Sequence, residues 1–142
     1  MKPLTIEKTI NTSPEIVWTA LTDKEQMKQW FFDVDDFKPE VGFKFHFHGE
    51  NEGRHFFHIC VVKEATTNTK LSFSWKYKNY PGESFVAIQL LKAGEKTKIK
   101  LTHSGLETFP QDNPDFSIKN FTAGWKYILG KSLTGYINNI HS

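Results

Sequence analysis

The chain has 142 residues, with 18 Lys and Arg, 16 Asp and Glu, one cysteine and 13 phenylalanines. A chain of this length folds as one domain with a core of its own, and a single cysteine excludes an internal disulfide framework. The net charge of +2 and a single arginine, Arg54, leave no basic surface suited to nucleic acid, and no run of about 18 apolar residues could cross a membrane. We therefore expect a single cytoplasmic domain over residues 1–142 that binds no nucleic acid and does not insert into a membrane.

The first thirty residues predict a strand followed by two short helices. Residues 4–11 alternate apolar with polar side chains, which is the period of a half-buried strand. Ser13 and Pro14 predict the start of a helix, because serine favours the N-cap and proline the first helical position. Its buried side is predicted to comprise Ile16, Val17, Ala20 and Leu21, with Trp18 at the margin. A second short helix, Lys24–Trp30, is predicted to follow with Asp23 as its cap.

The middle of the chain has the two-residue period of β-strands. Phe43, Phe45 and Phe47 alternate with polar residues, and residues 49–53 predict a turn into a second strand over residues 54–64. Three more strands, separated by turn-forming residues, are predicted at Lys70–Tyr77, residues 84–92 and Lys96–Ser104.

The C-terminal part predicts one long amphipathic helix over residues 116–140, where apolar residues recur every three or four positions. Strands segregated from helices indicate an α+β fold with an antiparallel sheet. Aromatic residues make up 15% of the chain, and their stiff rings could hold the sheet and the long helix apart around a hollow.

Five segments, in this order, carry a resemblance to a known family. They are SPEIVWTALTDKEQMKQWF (residues 13–31), VGFKFHF (41–47), LSFSW (71–75), TKIKLTHSG (97–105) and GWKYILGKSL (124–133). The chain resembles bacterial relatives of the activator of heat-shock protein 90 ATPase, in the START-related (SRPBCC) helix-grip superfamily. The resemblance implies a curved six-stranded antiparallel sheet wrapped around the C-terminal helix, two short helices between strands 1 and 2, and an apolar cavity. Superfamily members bind lipids, sterols, hormones or polyketides, and a few catalyse reactions.

The predicted hairpin register assigns particular residues to this cavity. A five-residue turn at residues 49–53 places Phe47 opposite His55 and Phe45 opposite Phe57, so all four would face inward. We predict a ligand-binding cavity lined by Trp30, Phe45, Phe47, His55, Phe57, Phe73, Trp75, Tyr77, Ile99, His103, Phe121, Trp125, Ile128 and Ser132. The polar groups that would orient a ligand are predicted to be His55, Tyr77, His103 and Ser132. Residues 30–37 and 107–114 are predicted to form the mouth, and the alternative is a filled core.

The leading functional hypothesis is binding of a small hydrophobic or amphipathic molecule in this cavity. A stress-related interaction protein that assists a chaperone is the first alternative. In the eukaryotic co-chaperone, however, a second, N-terminal domain bears most of the chaperone binding, whereas this sequence begins directly with the first predicted strand. A cavity enzyme of the cyclase or hydrolase type is the second alternative. No catalytic residue and no cofactor is predicted, and Cys60, in an apolar run, is expected to be a buried thiol of raised pKa.

The outer face of the predicted hairpin raises two further hypotheses. His46, His48 and His58 would share that face and could approach one metal ion, but Lys44 would oppose His58, so we expect solvated histidines and no metal site. The same face would carry Phe56, Cys60 and Val62, which is more apolar than a solvated face should be. Either the register shifts at a bulge or a second copy covers this face, and we predict a homodimer.

Overall fold

The computed structural model describes residues 3–140, which form an antiparallel sheet with helices packed on one of its faces. In chain order the elements are β1 (Leu4–Ile10), α1 (Pro14–Thr22), α2 (Lys24–Trp30), β2 (Lys44–Asn51), β3 (Arg54–Thr66), β4 (Lys70–Tyr77), β5 (Ser84–Ala93) and β6 (Lys96–Ser104). Two short 3₁₀ turns (Leu106–Thr108 and Pro114–Phe116) precede the C-terminal helix. That helix consists of α3 (Ile118–Tyr127), a wide π-helical segment (Ile128–Leu133) and α4 (Thr134–Ile140). The strand order is β1-β6-β5-β4-β3-β2, and the predicted α+β helix-grip fold is confirmed.

Local sequence accounts for where the helices begin. Pro14 occupies the first turn of α1 after an extended Ser13, and the Asp23 carboxylate accepts the backbone N–H of Glu25 at the start of α2. Ser117 caps α3 in the same way, accepting the N–H of Asn120 at 3.1 Å.

One detail of the α1 prediction is wrong. Ile16 is 36% exposed, whereas Trp18, expected at the margin, is buried. At 100° per residue, Ile16 and Trp18 lie on opposite sides of the buried stripe through Val17, Ala20 and Leu21 at similar angles from its centre, so helical periodicity does not decide which of the two is buried.

The core lies between the inner face of the sheet and the helices. Alternate side chains of each strand point inward, as in β4, where Leu71, Phe73, Trp75 and Tyr77 are all buried. The C-terminal helix contributes Phe121, Trp125, Leu129, Leu133 and Ile137 to the same core. Among the helices of residues 3–140, none is both long and apolar enough to cross a membrane.

The β2–β3 hairpin has a different register from the predicted one. Phe47 pairs with His58 and Phe45 with Cys60, and the turn that joins the strands contains only Glu52 and Gly53. Both turn residues have positive φ, 51° and 82°, which is typical of the tight turns that match the twist of a hairpin.

The shift of three residues moves every side chain of β3 to the opposite face, because successive residues of a strand alternate. His55 and Phe57, predicted to face the cavity, are exposed on the outer face. Phe56, His58, Cys60 and Val62 point inward and are buried. The inward placement of His55 and Phe57 is therefore wrong.

This correction also removes the apolar outer face on which the dimer was predicted. The oligomeric state itself stays a prediction.

The three-histidine cluster does not form either. His46 donates to the Asp35 carboxylate at 2.9 Å, and His48 shares a hydrogen bond of 2.7 Å with His55. Within residues 3–140, no three His, Cys, Asp or Glu side chains converge as a metal site would require.

The observed register predicts an unreactive cysteine. Cys60 is fully buried, and burial raises the pKa of its thiol well above the ordinary value. We expect Ellman's reagent to leave Cys60 unmodified at pH 8 in the folded protein and to titrate one thiol in guanidinium chloride. Rapid modification of the folded protein would instead support a register in which Cys60 faces outward.

Candidate functional site

The space between the sheet and the C-terminal helix is filled at one end and open at the other. At the filled end a gap of about 20 Å³ remains, which is about the room of one water molecule. Its walls are apolar: Leu21, Met27, Trp30, Phe31, Phe37, Phe45, Leu71, Phe73, Ile88, Trp125 and Leu129. At the other end a cavity of about 400 Å³ opens between the tip of the β2–β3 hairpin and α3. Trp125 borders both spaces and therefore separates them.

The floor of the open cavity is aromatic. Its buried residues come from the inward positions of β3 and β4 and from one face of α3, namely Phe56, His58, Trp75, Tyr77, Phe121 and Trp125. The rings contact one another edge to face, as Phe56 and Tyr77 do at 5.8 Å between ring centroids. Mutual contacts of this kind hold stiff rings in place, so the cavity has a defined shape.

The rim is more polar and more exposed than the floor. It consists of Phe32, Gly49, Glu50, Asn51, Asp115, Asn120, Ala123, Gly124, Tyr127 and Ile128. At Gly124 an added Cβ would meet no atom within 4 Å, so this turn of α3 borders open space.

A buried carboxylate ties two sides of the rim together. Asp115 accepts two hydrogen bonds from Arg54, from Nε at 2.6 Å and from Nη2 at 2.7 Å, and a third from the Asn51 amide at 2.8 Å. The Arg54 guanidinium lowers the pKa of Asp115, so the pair stays charged. Asn120 at the start of α3 donates to the Asp115 carbonyl at 2.9 Å. The hairpin tip and the helix are thus joined by charged and polar contacts instead of closing on each other.

His58 supplies a polar group among the aromatic rings. Its ring stacks on Phe47 at 4.2 Å between centroids and meets Trp75 edge to face at 4.9 Å. Burial lowers the pKa of His58 to about 4, so its imidazole is neutral at pH 7. Its Nδ1 is buried without a hydrogen-bond partner within residues 3–140. Gly49 makes room for the ring, since a Cβ there would lie 2.7 Å from Cε1 of His58.

His103 lies behind the cavity wall in a closed hydrogen-bond chain. Trp125 Nε1 donates to His103 Nδ1 at 3.0 Å, so the imidazole proton is on Nε2, which donates to Ser84 Oγ at 2.7 Å. The Ser84 hydroxyl in turn donates to the Trp75 carbonyl at 2.9 Å. Burial lowers the pKa of His103 to about 3.

This serine–histidine pair is not the nucleophile and base of a hydrolase. Ser84 is fully buried, its proton is directed to a carbonyl, and the second imidazole nitrogen faces an N–H donor where a triad would have a carboxylate. The hydrogen bonds of Ser84 and His103 instead fix the indole of Trp125 as the wall between the two spaces.

Five of the residues predicted to line the cavity border the open space: Trp75, Tyr77, Phe121, Trp125 and Ile128. Trp30, Phe45 and Phe73 surround the filled end. Phe47 packs between Phe32 and His58.

The remaining predicted residues lie away from the open space. Ile99 is fully buried in the closed core, His103 lies behind Trp125, and Ser132 donates to the Trp30 carbonyl. His55 and Phe57 are on the outer face, as described above. Of the predicted mouth, residues 30–37 contribute Phe32 and residues 107–114 contribute nothing to the rim.

Several cavity residues were missed from the sequence. The predicted five-residue turn places Phe56 and His58 on the outer face, whereas both face inward in the structure. The signal that could have found them is the Glu52-Gly53 pair, since glycine at the second position favours a two-residue turn. The contacts of Asp115 with Arg54 and Asn51 join residues far apart in the chain, and no local pattern indicates them.

The six-stranded antiparallel sheet, packed by its inner face on a long C-terminal helix, defines a protein of the START-related helix-grip class. Residues 11–138 match the family described as Activator of Hsp90 ATPase homolog 1-like protein, and the chain belongs to that family. No curated protein matches the chain.

Several solved structures share the fold. Mll3558 from Rhizobium loti is 21% identical with a TM-score of 0.81, covering 94% of this chain and 95% of its own. MLL2253 from Mesorhizobium loti is 24% identical with a TM-score of 0.77, covering 97% and 98%. DynU16, from the dynemicin biosynthetic locus, is 20% identical with a TM-score of 0.79; the match covers 97% of this chain but only 48% of DynU16. At these identities the likeness shows the fold alone.

The two buried histidines predict a loss of stability in mild acid. His58 and His103 have pKa values of about 4 and about 3 in the fold, against an ordinary 6.5. Below pH 6.5 the unfolded chain therefore binds more protons than the folded one, so stability is fully present above that pH and falls as the pH drops towards 4. We expect the free energy of unfolding, measured by urea denaturation, to be about 2–4 kcal/mol lower at pH 5 than at pH 7.

The variant His103→Phe isolates one of the two contributions. It should lose roughly half of this pH dependence, whatever its stability at pH 7, because one of the two titrating groups is gone. A pH dependence equal to that of the wild type would contradict the assignment of His103 as a buried neutral base.

Proposed function

We propose that this protein binds a small, largely apolar ligand with an aromatic or ring-shaped body in the open cavity. The observation that carries the proposal is a space of about 400 Å³ with a buried aromatic floor and a polar rim. Ligand sites in proteins have volumes of about 300–1,000 Å³ and combine apolar walls with a few polar groups, which is the composition found at this site.

The physical chemistry of the walls supports binding. A ligand that buries about 200 Å² of apolar surface would gain about 5 kcal/mol from the hydrophobic effect, before the costs of association. Tyr77 accepts a hydrogen bond from Trp75 Nε1 at 2.9 Å, which leaves the hydroxyl proton of Tyr77 available to a ligand. The neutral imidazole of His58 is a second group that could orient the guest.

The two alternative functions have less support from the site. For catalysis, His58 is the imidazole at the cavity wall, but it hydrogen-bonds to no carboxylate within residues 3–140, and its lowered pKa makes it a poor general base at pH 7. The description of the family refers to activation of an Hsp90 ATPase, and that activity would act through a surface contact with the chaperone. Such a contact does not require the cavity, whereas ligand binding would account for the presence of the cavity.

A cavity-filling variant tests the proposal. Gly124→Leu would project its side chain into the open space, since an added Cβ meets no atom within 4 Å. Gly135→Leu is the matched control, because Gly135 is also an exposed helical glycine with open space around it but lies outside the cavity. By isothermal titration calorimetry with 2-(2-naphthyl)ethanol, flavonoids and sterols, we expect saturable micromolar binding to the wild type and to Gly135→Leu.

Gly124→Leu should weaken that binding at least about tenfold, because the added side chain occupies the space of the ligand. Equal binding by the two leucine variants would place the ligand elsewhere. No binding of any compound to the folded wild type would contradict the proposed function and favour the interaction-protein alternative.

A further inference from the structure

We propose that the cavity selects ligands that carry a hydroxyl group on their apolar body, and that this hydroxyl hydrogen-bonds to Nδ1 of His58 at the cavity floor. This inference rests on the proposed function and specifies its ligand class. The observation that carries it is a buried imidazole nitrogen at the cavity wall that has no hydrogen-bond partner within residues 3–140.

Nδ1 of His58 differs from the other buried polar side-chain atoms of residues 3–140. It is the one buried side-chain nitrogen or oxygen in this part of the chain without a hydrogen-bond partner. The indole N–H groups of Trp30 and Trp125 each have an acceptor. His103 is bonded through both of its ring nitrogens. An unpaired buried nitrogen lowers stability, and a phenyl ring would fill the same space without one, so packing alone does not account for an imidazole at this position.

The edge of the ring that carries Nδ1 is directed towards the open end of the interior. The His58 ring stacks on Phe47, its partner across the hairpin. Gly49 lies two residues nearer to the hairpin tip on the same face of β2. A Cβ at Gly49 would lie 2.7 Å from Cε1 and 3.5 Å from Nδ1 of His58. The edge formed by these two atoms therefore faces the hairpin tip, where the cavity opens.

The cover over this edge is thin. On the β2 side it is Gly49, which has no side chain, and a glycine inside a strand often marks the close approach of another group. Beside it lies Phe32, whose Cε1 is 3.5 Å from the position that a Gly49 Cβ would take. Phe32 is half-buried, follows α2 outside regular secondary structure and lines the same cavity. A ligand in the cavity reaches Nδ1 when the Phe32 ring turns aside.

The chemistry of the imidazole specifies the group that it binds. Burial keeps His58 neutral at pH 7, and in a neutral imidazole one nitrogen donates and the other accepts. A hydroxyl group both donates and accepts, so it pairs with Nδ1 whichever nitrogen carries the proton. A hydrocarbon group pairs with neither form. It would leave Nδ1 unpaired in the complex, and a site with an unpaired buried polar group discriminates against such a ligand.

Two probes with one body test the hydroxyl preference directly. They are 2-naphthol and 2-methylnaphthalene, in which a methyl group of similar size replaces the hydroxyl, measured by isothermal titration calorimetry at pH 7. We expect 2-naphthol to bind to the wild type at least about tenfold more tightly, although the methyl group is more hydrophobic, because only the hydroxyl pairs with Nδ1.

His58→Phe should remove this preference, so that the two compounds bind within about twofold of each other or the hydrocarbon binds more tightly. His55→Phe is the matched control, because it removes an imidazole from the same strand but from its outer face. This variant should keep the wild-type preference.

The ¹⁵N signal of His58 Nδ1 gives a second test that needs no variant. In a long-range ¹H–¹⁵N spectrum of the wild type, saturation with 2-naphthol should shift this signal, because a hydrogen bond forms at that nitrogen. Saturation with 2-methylnaphthalene should shift it much less. Equal shifts with the two compounds would contradict the proposed hydrogen bond.

The outcomes separate this inference from the function on which it rests. If 2-methylnaphthalene binds as tightly as 2-naphthol or more tightly, the cavity binds ligands and the hydroxyl selectivity is wrong. A preference for 2-naphthol that His58→Phe leaves intact would also overturn the inference. If neither compound nor 2-(2-naphthyl)ethanol binds to the folded wild type, the proposed function itself fails.

Discussion

The tight turn between β2 and β3 is the constraint on which the rest of the site depends. With only Glu52 and Gly53 between the strands, Asn51 pairs with Arg54, and the register follows along the whole hairpin. That register turns Phe56 and His58 into the interior, where they form part of the cavity floor. A turn with one residue more or fewer would exchange the two faces of β3, and the cavity would lose this side of its wall.

The same turn also positions residues at the opening of the cavity. It brings Asn51 and Arg54 side by side, where both reach the Asp115 carboxylate at the base of the C-terminal helix. A charged contact of this kind holds the hairpin tip and the helix at a fixed separation, whereas apolar side chains at these positions would tend to close the gap. At the other end the described residues that line the remaining gap are apolar, and they fill the interior almost completely. The open and filled ends thus follow from the kind of residue at each boundary.

Trp125 lies between the open and the filled end of the interior, and hydrogen bonds on the side away from the open cavity fix its position. The hydrogen bond from its indole to His103 ties the ring to β6, and Ser84 ties His103 to β5 and to the backbone of β4. Each side-chain polar atom in this hydrogen-bond chain has a partner. A histidine, a serine and an indole N–H can therefore be buried together without an unmet hydrogen bond. The result is a rigid wall that sets the depth of the space open to a ligand.

Much of the fold could be predicted from the sequence, because its signals are local. Lys96–Ser104 alternates strictly and is flanked by turn residues, and the structure has a strand with the same bounds. The sequence also predicts Trp75 and Trp125 in the cavity, since inward positions of a strand and of a helix can be counted from periodicity. The hairpin register could not be settled in this way, because residues 49–53 contain glycine at both ends and fit either a two-residue or a five-residue turn. The rim depends on contacts such as that between Arg54 and Asp115, 61 residues apart, which hydrophobic periodicity does not encode.

We propose that a ligand occupies the open cavity in front of Trp125 and does not enter the filled end behind it. The indole N–H signals of the four tryptophans in a ¹H–¹⁵N correlation spectrum, followed during titration with 2-(2-naphthyl)ethanol, test this most directly. Trp75 and Trp125 line the open cavity, whereas Trp30 donates to the Ala20 carbonyl in the filled part and Trp18 lies on α1. We expect saturable shifts of the Trp75 and Trp125 signals with little change at Trp18 and Trp30. Shifts confined to Trp18 or Trp30, or no saturable shift of any indole, would contradict it.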